Sequence, residues 1–203
     1  KFRIDHIKEN FLVFSIINTN SENIYQCLEK ANFKLIDTHL KFELNNNKLS
    51  EKQQHNDIEI CFAEKKHQHA VGKIARDNFL YSRFHIDPLI DNDIANQIKQ
   101  NWAKNYFFGK RGNEMVLALV HNEPVGFLQL IIKEKELFID LIGVDKIAQG
   151  RGVASSMIQF ASTNIKSSCI KVGTQIGNLP SIKLYQKLGF VLTESDYVVH
   201  YHS

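Results

Sequence analysis

The sequence predicts a mixed α/β fold, a central sheet flanked by helices. Three observations carry it. Apolar residues switch repeatedly between a spacing of two and a spacing of three to four, so strands and helices are interleaved along the chain. Residues 115–132 read as two antiparallel strands joined by a tight turn, His121-Asn-Glu-Pro124. Residues 137–174 read as strand, glycine-containing loop, helix and strand, a crossover that makes its two strands parallel.

Taken in order, residues 11–17 form a strand, 21–31 a helix and 33–44 a second strand, followed by a polar loop at 45–56. Residues 58–62 are a further strand. Helical spacing returns at 67–81 and 91–108, and Pro88 breaks the chain between these helices. After the hairpin comes a third strand, 137–144. A helix to about residue 166 follows, with Val153, Met157, Ile158, Ala161 and Ile165 on one apolar face. A strand at 169–174 leads to a short helix with Asn178 as N-cap, Pro180 in its first turn and Gly189 at its stop. The last strand is 190–201.

Composition narrows the class. A chain of 203 residues makes one domain, or a domain with a small subdomain. With 43% apolar residues, 10% aromatic and three prolines, disordered and fibrous classes are excluded. No apolar run reaches the roughly 18 residues of a membrane span, and residues 1–10 carry no signal-like stretch. The expectation is a cytoplasmic protein with no membrane partner. Twenty-five basic against 22 acidic residues give +3, without the clustered excess of a nucleic-acid binder, so no nucleic acid is expected. Cys27, Cys61 and Cys169 form no CxxC pair and read as small buried hydrophobes. His67 with His69, and His200 with His202, would each share a face on a strand, but no carboxylate lies in a ligand spacing, so no metal is expected.

Charge is distributed less evenly than the total suggests. Residues 146–193 contain six cations (Lys146, Arg151, Lys166, Lys171, Lys183, Lys187) and no carboxylate, so the rest of the chain carries −3 against the total of +3. A solvated basic face would account for this, and so would an anion site. Residues 149–154, Gln-Gly-Arg-Gly-Val-Ala, favour the second reading because they lie where a strand hands over to a helix. Glycines there turn successive N–H groups inward, and the helix start adds partial positive charge, which suits a phosphate or pyrophosphate. A dinucleotide fingerprint is excluded because Ser155 follows in place of the third glycine and no acid lies about 20 residues on. No G-K-[ST] follows for a P-loop, and G-x-S-x-G does not occur.

The surviving pattern, Q-x-x-G-x-A after a strand, then Asn178 and a helix reading Leu184-Tyr-Gln-Lys-Leu-Gly-Phe190, resembles the GNAT superfamily of acyl-CoA-dependent N-acetyltransferases. The resemblance covers roughly residues 70–203. Tyr81-Ser-Arg-Phe-His85, ahead of the aromatic helix with Trp102, together with Thr174-Gln-Ile-Gly-Asn178, is similar to acetyltransferases acting on the nucleotide-linked amino-sugar dTDP-4-amino-4,6-dideoxygalactose. Those enzymes carry a partial acetyltransferase-like unit in front. The resemblance therefore implies a GNAT domain at 63–203 behind a partial subdomain at 1–62.

It also implies acetyl-CoA as acyl donor and co-substrate, a small amine as acceptor, and direct transfer between them. Ile142, Gly143 and Val144 would lie on the splayed strand that pairs with the pantetheine arm. Gln149, Gly150, Arg151, Gly152, Val153 and Ala154 would bind the pyrophosphate. Asn178 would contact the cofactor arm, and Tyr185 would protonate the departing thiolate. Tyr185 also fits a plain core aromatic spaced with Ile182 and Leu188. Arg83 is the candidate for a sugar-nucleotide phosphate, or else for an ion pair with Asp87 or Asp91. Asp140 and a water chain are both open as the route for the amine proton. A homodimer is one admissible assembly.

An internal echo completes the reading. Leu28-Glu-Lys-Ala-Asn32-Phe33-Lys-Leu35 aligns with Tyr185-Gln-Lys-Leu-Gly189-Phe190-Val-Leu192, each reading helix, left-handed cap, strand. Duplication and coincidence both fit. Under duplication the first copy, with Leu28 in place of a hydroxyl, is a structural relic.

Overall fold

The computed structural model describes residues 11–45 and 57–203. Expectations for residues 1–10 and 46–56 lie outside these. The elements are β1 (Leu12–Asn18), α1 (Glu22–Lys30), β2 (Lys34–Asn45), β3 (Glu59–Phe62), α2 (Gln68–Asn78), α3 (Arg83–Ile86), α4 (Asn92–Lys104), β4 (Glu114–Val120), β5 (Glu123–Lys133), β6 (Glu136–Val144), α5 (Val153–Asn164), β7 (Cys169–Gln175), α6 (Leu179–Lys187) and β8 (Val191–His202). No helix among the described residues is long and apolar enough to cross a membrane.

The strands form one eight-stranded mixed sheet in the order β1-β8-β2-β7-β6-β5-β4-β3. Only β6 and β7 pair in parallel among the described strands, as the crossover through α5 requires. The hairpin turns on His121 and Asn122, both at positive φ, and β4 pairs antiparallel with β5. Alternation along β4 builds two layers. Met115, Leu117 and Leu119 pack with Val71, Ile74 and Ala75 of α2 and Ala103 of α4, while Val116 and Ala118 pack with Val153, Met157 and Ile158 of α5. The larger layer continues under α6, where Tyr185 meets Phe42 and Phe190.

One irregularity shapes the middle of the sheet. β5–β6 pairing runs from Gln129↔Leu141 to Leu130↔Ile139, leaving Asp140 as an extra residue. An inserted residue reverses which face the following side chains take. Accordingly Leu137 and Ile139 join the α5 layer, whereas Leu141 joins the α2 layer. Pairing of β6 with β7 stops at the same level, at Ile139↔Val172, although β6 continues to Val144 and β7 to Gln175. The two strands part beyond this point.

Residues from the front of the chain complete the sheet built by its back. β2 pairs with β7 on one side and with β8 on the other, and β8 also pairs with β1. The two halves of the sequence echo have the same joint. Asn32 (φ 65°) and Gly189 (φ 89°) are left-handed, and the N–H of Phe33 and of Phe190 donates to the carbonyl of Leu28 and of Tyr185 respectively, each at 3.0 Å.

Candidate active site

The strand that parts from β7 leads directly into the glycine loop. Asp145 accepts from the Ile147 N–H at 3.1 Å, which forms a short 3-10 turn. Gln149 Nε2 then donates back to the Val144 carbonyl at 3.0 Å, tying the loop to the end of β6. Gly150 and Gly152 both sit at φ 76°, a conformation that costs L-residues about 1–2 kcal/mol. These turns put the first N–H groups of α5, which have no partner within the helix, at the mouth of the splay. A twelve-residue helix adds partial positive charge there. Val153 anchors that helix start in the core at 2% exposure.

The cations of the acid-free interval are not all available to an anion. Arg151 pairs with Asp57, and Lys171 bridges Glu136 at 2.6 Å and Glu43 at 3.4 Å. The missing carboxylates thus lie on other segments, which the sequence count could not reveal. The anion character of the loop comes from its backbone.

The second motif supplies a well-capped helix and a buried phenol. Asn178 Oδ1 accepts from the Ser181 N–H at 3.3 Å, and its Nδ2 donates to Thr174 Oγ1 at 3.1 Å. Its side chain is therefore engaged inside the chain as the N-cap of α6. Tyr185 is 2% exposed, with ring centroids 5.9 Å from Phe42 and 5.5 Å from Phe190. Burial raises its pKa far above the ordinary value, and a hydrogen bond with Ser181 offsets only part of this. The phenol stays protonated at every physiological pH. Tyr185 is thus a core aromatic whose phenol is protonated.

On the opposite face, the groups around the splay are polar and were mostly not singled out. Asp140 is held by Arg111 through Nε (2.7 Å) and Nη2 (2.8 Å) and by Gln129 Nε2 (2.8 Å). Both its oxygens accept hydrogen bonds. Arg111 in turn lies 4.2 Å from the centroid of Trp102. The Lys99 ammonium is buried between Trp102 (4.6 Å) and Phe79 (5.0 Å). Burial first, then the Arg111 and Arg83 charges, lower its pKa to about 8.

Arg83 opens α3, with its guanidinium 3.7 Å from the centroid of Phe14 and 4.8 Å from that of Phe84. It makes no ion pair among the described residues. The expected partners are used elsewhere: Asp91 caps α4, and Asp87 Oδ2 accepts from His200 Nδ1 (2.6 Å) and His202 Nε2 (2.7 Å). The stacked fork is left with its donors open. The His200 and His202 rings do share a face, and the carboxylate missing from the local sequence arrives from residue 87. By contrast, His67 and His69 lie at the start of α2 rather than on a strand, with His67 Nδ1 accepting from the Glu64 N–H. Contrary to the buried reading, Cys27 is exposed on α1, a helix with no buried residue, and Cys61 and Cys169 are only half-buried.

A cavity of about 350 Å³ opens beside this face, lined by Asp37 and Thr38 of β2, by Tyr81 and Ile86, and by Gln175 and Gly177 beyond the splay. Asp37 is 7% exposed and its Oδ2 has no hydrogen-bond partner. Burial raises its carboxyl to about 6, against a smaller opposing effect of the Thr38 N–H.

Comparison with known proteins agrees with this architecture. The chain is 33% identical over 135 residues to the spore coat polysaccharide biosynthesis protein SpsD of Bacillus subtilis (strain 168), covering 64% of this chain and 46% of that relative. The chain thus spans about half the length of the relative. Its fold is shared with a functionally unknown conserved protein from Staphylococcus epidermidis ATCC 12228 (TM-score 0.69, 15% identity, 94% of this chain and 71% of that one). It is shared equally with a GCN5-related N-acetyltransferase from Sphaerobacter thermophilus (TM-score 0.68, 13% identity, 95% and 60%). The family model for acetyltransferases matches residues 78–190, from the end of α2 to the start of the last strand and including both motifs, and the chain belongs to the acetyltransferase (GNAT) family.

Proposed function

We propose that this chain transfers the acetyl group of acetyl-CoA to the primary amine of a nucleotide-linked amino-sugar by direct attack. The observation that carries the reading is the parting of β6 and β7 after Ile139 and Val172, directly ahead of the helix-start loop at Gly150 and Gly152. The strand edge of Ile142, Gly143 and Val144 facing β7 is free to pair with an extended pantetheine arm, as one further strand pairs with a sheet edge. Backbone N–H groups at the start of α5 hold the pyrophosphate. A freed N–H of Ile142 or Val144 holds the thioester oxygen as negative charge grows on it, and one such donor supplies roughly 2.7–4 kcal/mol.

Tyr185 donates its proton to the departing thiolate. Burial keeps the phenol protonated at neutral pH, so the proton is present when the carbon–sulfur bond breaks. Asn178 contributes by capping α6, which fixes where the phenol stands. A sugar acceptor is supported by the relative named for polysaccharide biosynthesis and by Arg83, whose open fork suits a phosphate.

The test is release of CoA thiol from acetyl-CoA in the presence of dTDP-4-amino-4,6-dideoxygalactose, free glucosamine or an amine-bearing peptide. The nucleotide sugar is expected to give the highest kcat/KM. Preference for the peptide would replace the acceptor, and failure to bind millimolar acetyl-CoA in calorimetry would end the reading.

A further inference from the structure

The strand that follows the first half of the sequence echo, β2, delivers a side chain to the splay. β2 lies directly against β7, with His39 opposite Gln175 and Lys41 opposite Gly173. The imidazole of His39 reaches across onto Gly173, so closely that a Cβ at that position would collide with the ring. A side chain at residue 173 would have to push this ring aside, while the backbone there is ordinary strand. Gly173 is the first β7 residue past the last β6 pair, Val172, so the ring stands where the two strands separate.

The ring is half-buried and makes no hydrogen bond among the described residues. The charged groups acting on it are Asp196 on β8, Lys41 on β2, Arg83 on α3 and Lys99 on α4. Burial is the largest influence and favours the neutral form, Asp196 opposes it, and the three cations reinforce it. A neutral imidazole at the point where β6 and β7 part, with no hydrogen-bond partner among the described residues, has a ring nitrogen lone pair open to take a proton.

Resting on the proposed transferase reading, we propose that His39 is the general base of the transfer. The acceptor nitrogen forms its bond to the thioester carbonyl carbon, and an imidazole nitrogen of His39 takes the proton that this nitrogen sheds. The carbon–sulfur bond breaks, its electron pair leaves on sulfur, and the Tyr185 phenol protonates that sulfur. Imidazolium and phenolate return to their starting states by proton exchange with solvent. The products are amide and CoA thiol.

The experiment compares wild type with His39→Gln and His39→Ala, using acetyl-CoA and whichever amine of the panel above gives the fastest turnover. Thermal melting confirms folding, and calorimetry measures acetyl-CoA binding. His39→Gln is expected to lose about 10²-fold in kcat while binding acetyl-CoA within about twofold of wild type. The wild-type pH profile of kcat/KM is expected to rise through a single group titrating below the ordinary histidine value, and this limb to vanish in the variant. Added imidazole is expected to restore part of the turnover of His39→Ala. A folded His39→Gln with near-normal turnover or an unchanged pH limb overturns the assignment while leaving the transferase reading intact. A wild-type chain that binds no acetyl-CoA, or acetylates no amine, overturns both.

Discussion

The joints at 28–35 and 185–192 have the same backbone and opposite surroundings. Each ends a helix in a left-handed residue, and each closes with a 3.0 Å hydrogen bond from a phenylalanine N–H to the carbonyl five residues earlier. Around the first, α1 buries no residue and Leu28 is only half-covered. Around the second, Tyr185 sits in the core between Phe42 and Phe190. Local chain chemistry sets the turn, whereas the layer packed over it decides whether its helix can hold a reactive group at an altered pKa. The early copy is still put to use, since the strand it launches, β2, lies beside β7.

The largest expected effect separates the two helices. Tyr185→Phe should lose at least about 10²-fold in turnover with acetyl-CoA affinity nearly unchanged, while Leu28→Ala should change melting temperature and leave kcat alone. Steady-state kinetics under conditions where chemistry limits the rate decide it. Equal losses from both would break the contrast. Next, Gly152→Val forces a β-branched side chain into φ 76° at the start of α5 and should weaken acetyl-CoA binding about tenfold by calorimetry. Retained affinity would remove the backbone cradle.

Smaller effects test the joints themselves. Gly189→Ala should cost about 1–2 kcal/mol, since a Cβ there meets no close atom and only the left-handed angle is penalised. Asn32→Ala should cost about 1 kcal/mol for the same reason, starting from a residue that tolerates this angle. Urea unfolding of both would show whether the echo is energetic as well as geometric. The smallest effect concerns β2. Because burial raises the folded-state pKa of Asp37 from 3.8 to about 6, the folded chain binds that proton more tightly than the unfolded chain. A penalty is absent below about pH 3.8, develops as pH rises toward 6 and is complete above it. Asp37→Asn should therefore melt several degrees higher than wild type at pH 8 and equally at pH 4. A pH-independent difference would reject the buried-carboxylate assignment.

The late half was legible because its motifs are set by local backbone conformation. Glycines at 150 and 152, an N-cap at 178 and a tyrosine seven residues on are visible as residue types at fixed spacing, and the chain folds them locally as expected. The acid-free interval was less reliable, since Lys171 and Arg151 find carboxylates from β2, β6 and residue 57. Arg83, Asp87 and Asp140 were visible as charges but not as partners. Their pairing depends on contacts over distances such as residue 87 to residues 200 and 202, which no local pattern encodes.

Alone, then, the sequence determined the order of strands and helices, the parallel crossover and the phosphate-type loop, because periodicity, glycine angles and caps act within a few residues. Tertiary structure alone decided that β2 inserts between β7 and β8, that the extra residue at Asp140 flips the face of β6, and that His39 lies on Gly173. The first and third arise from pairing between segments more than a hundred residues apart, and the second from the register between two neighbouring strands. The free energy of such contacts is a property of two surfaces meeting, and neither surface carries a local signature of the other.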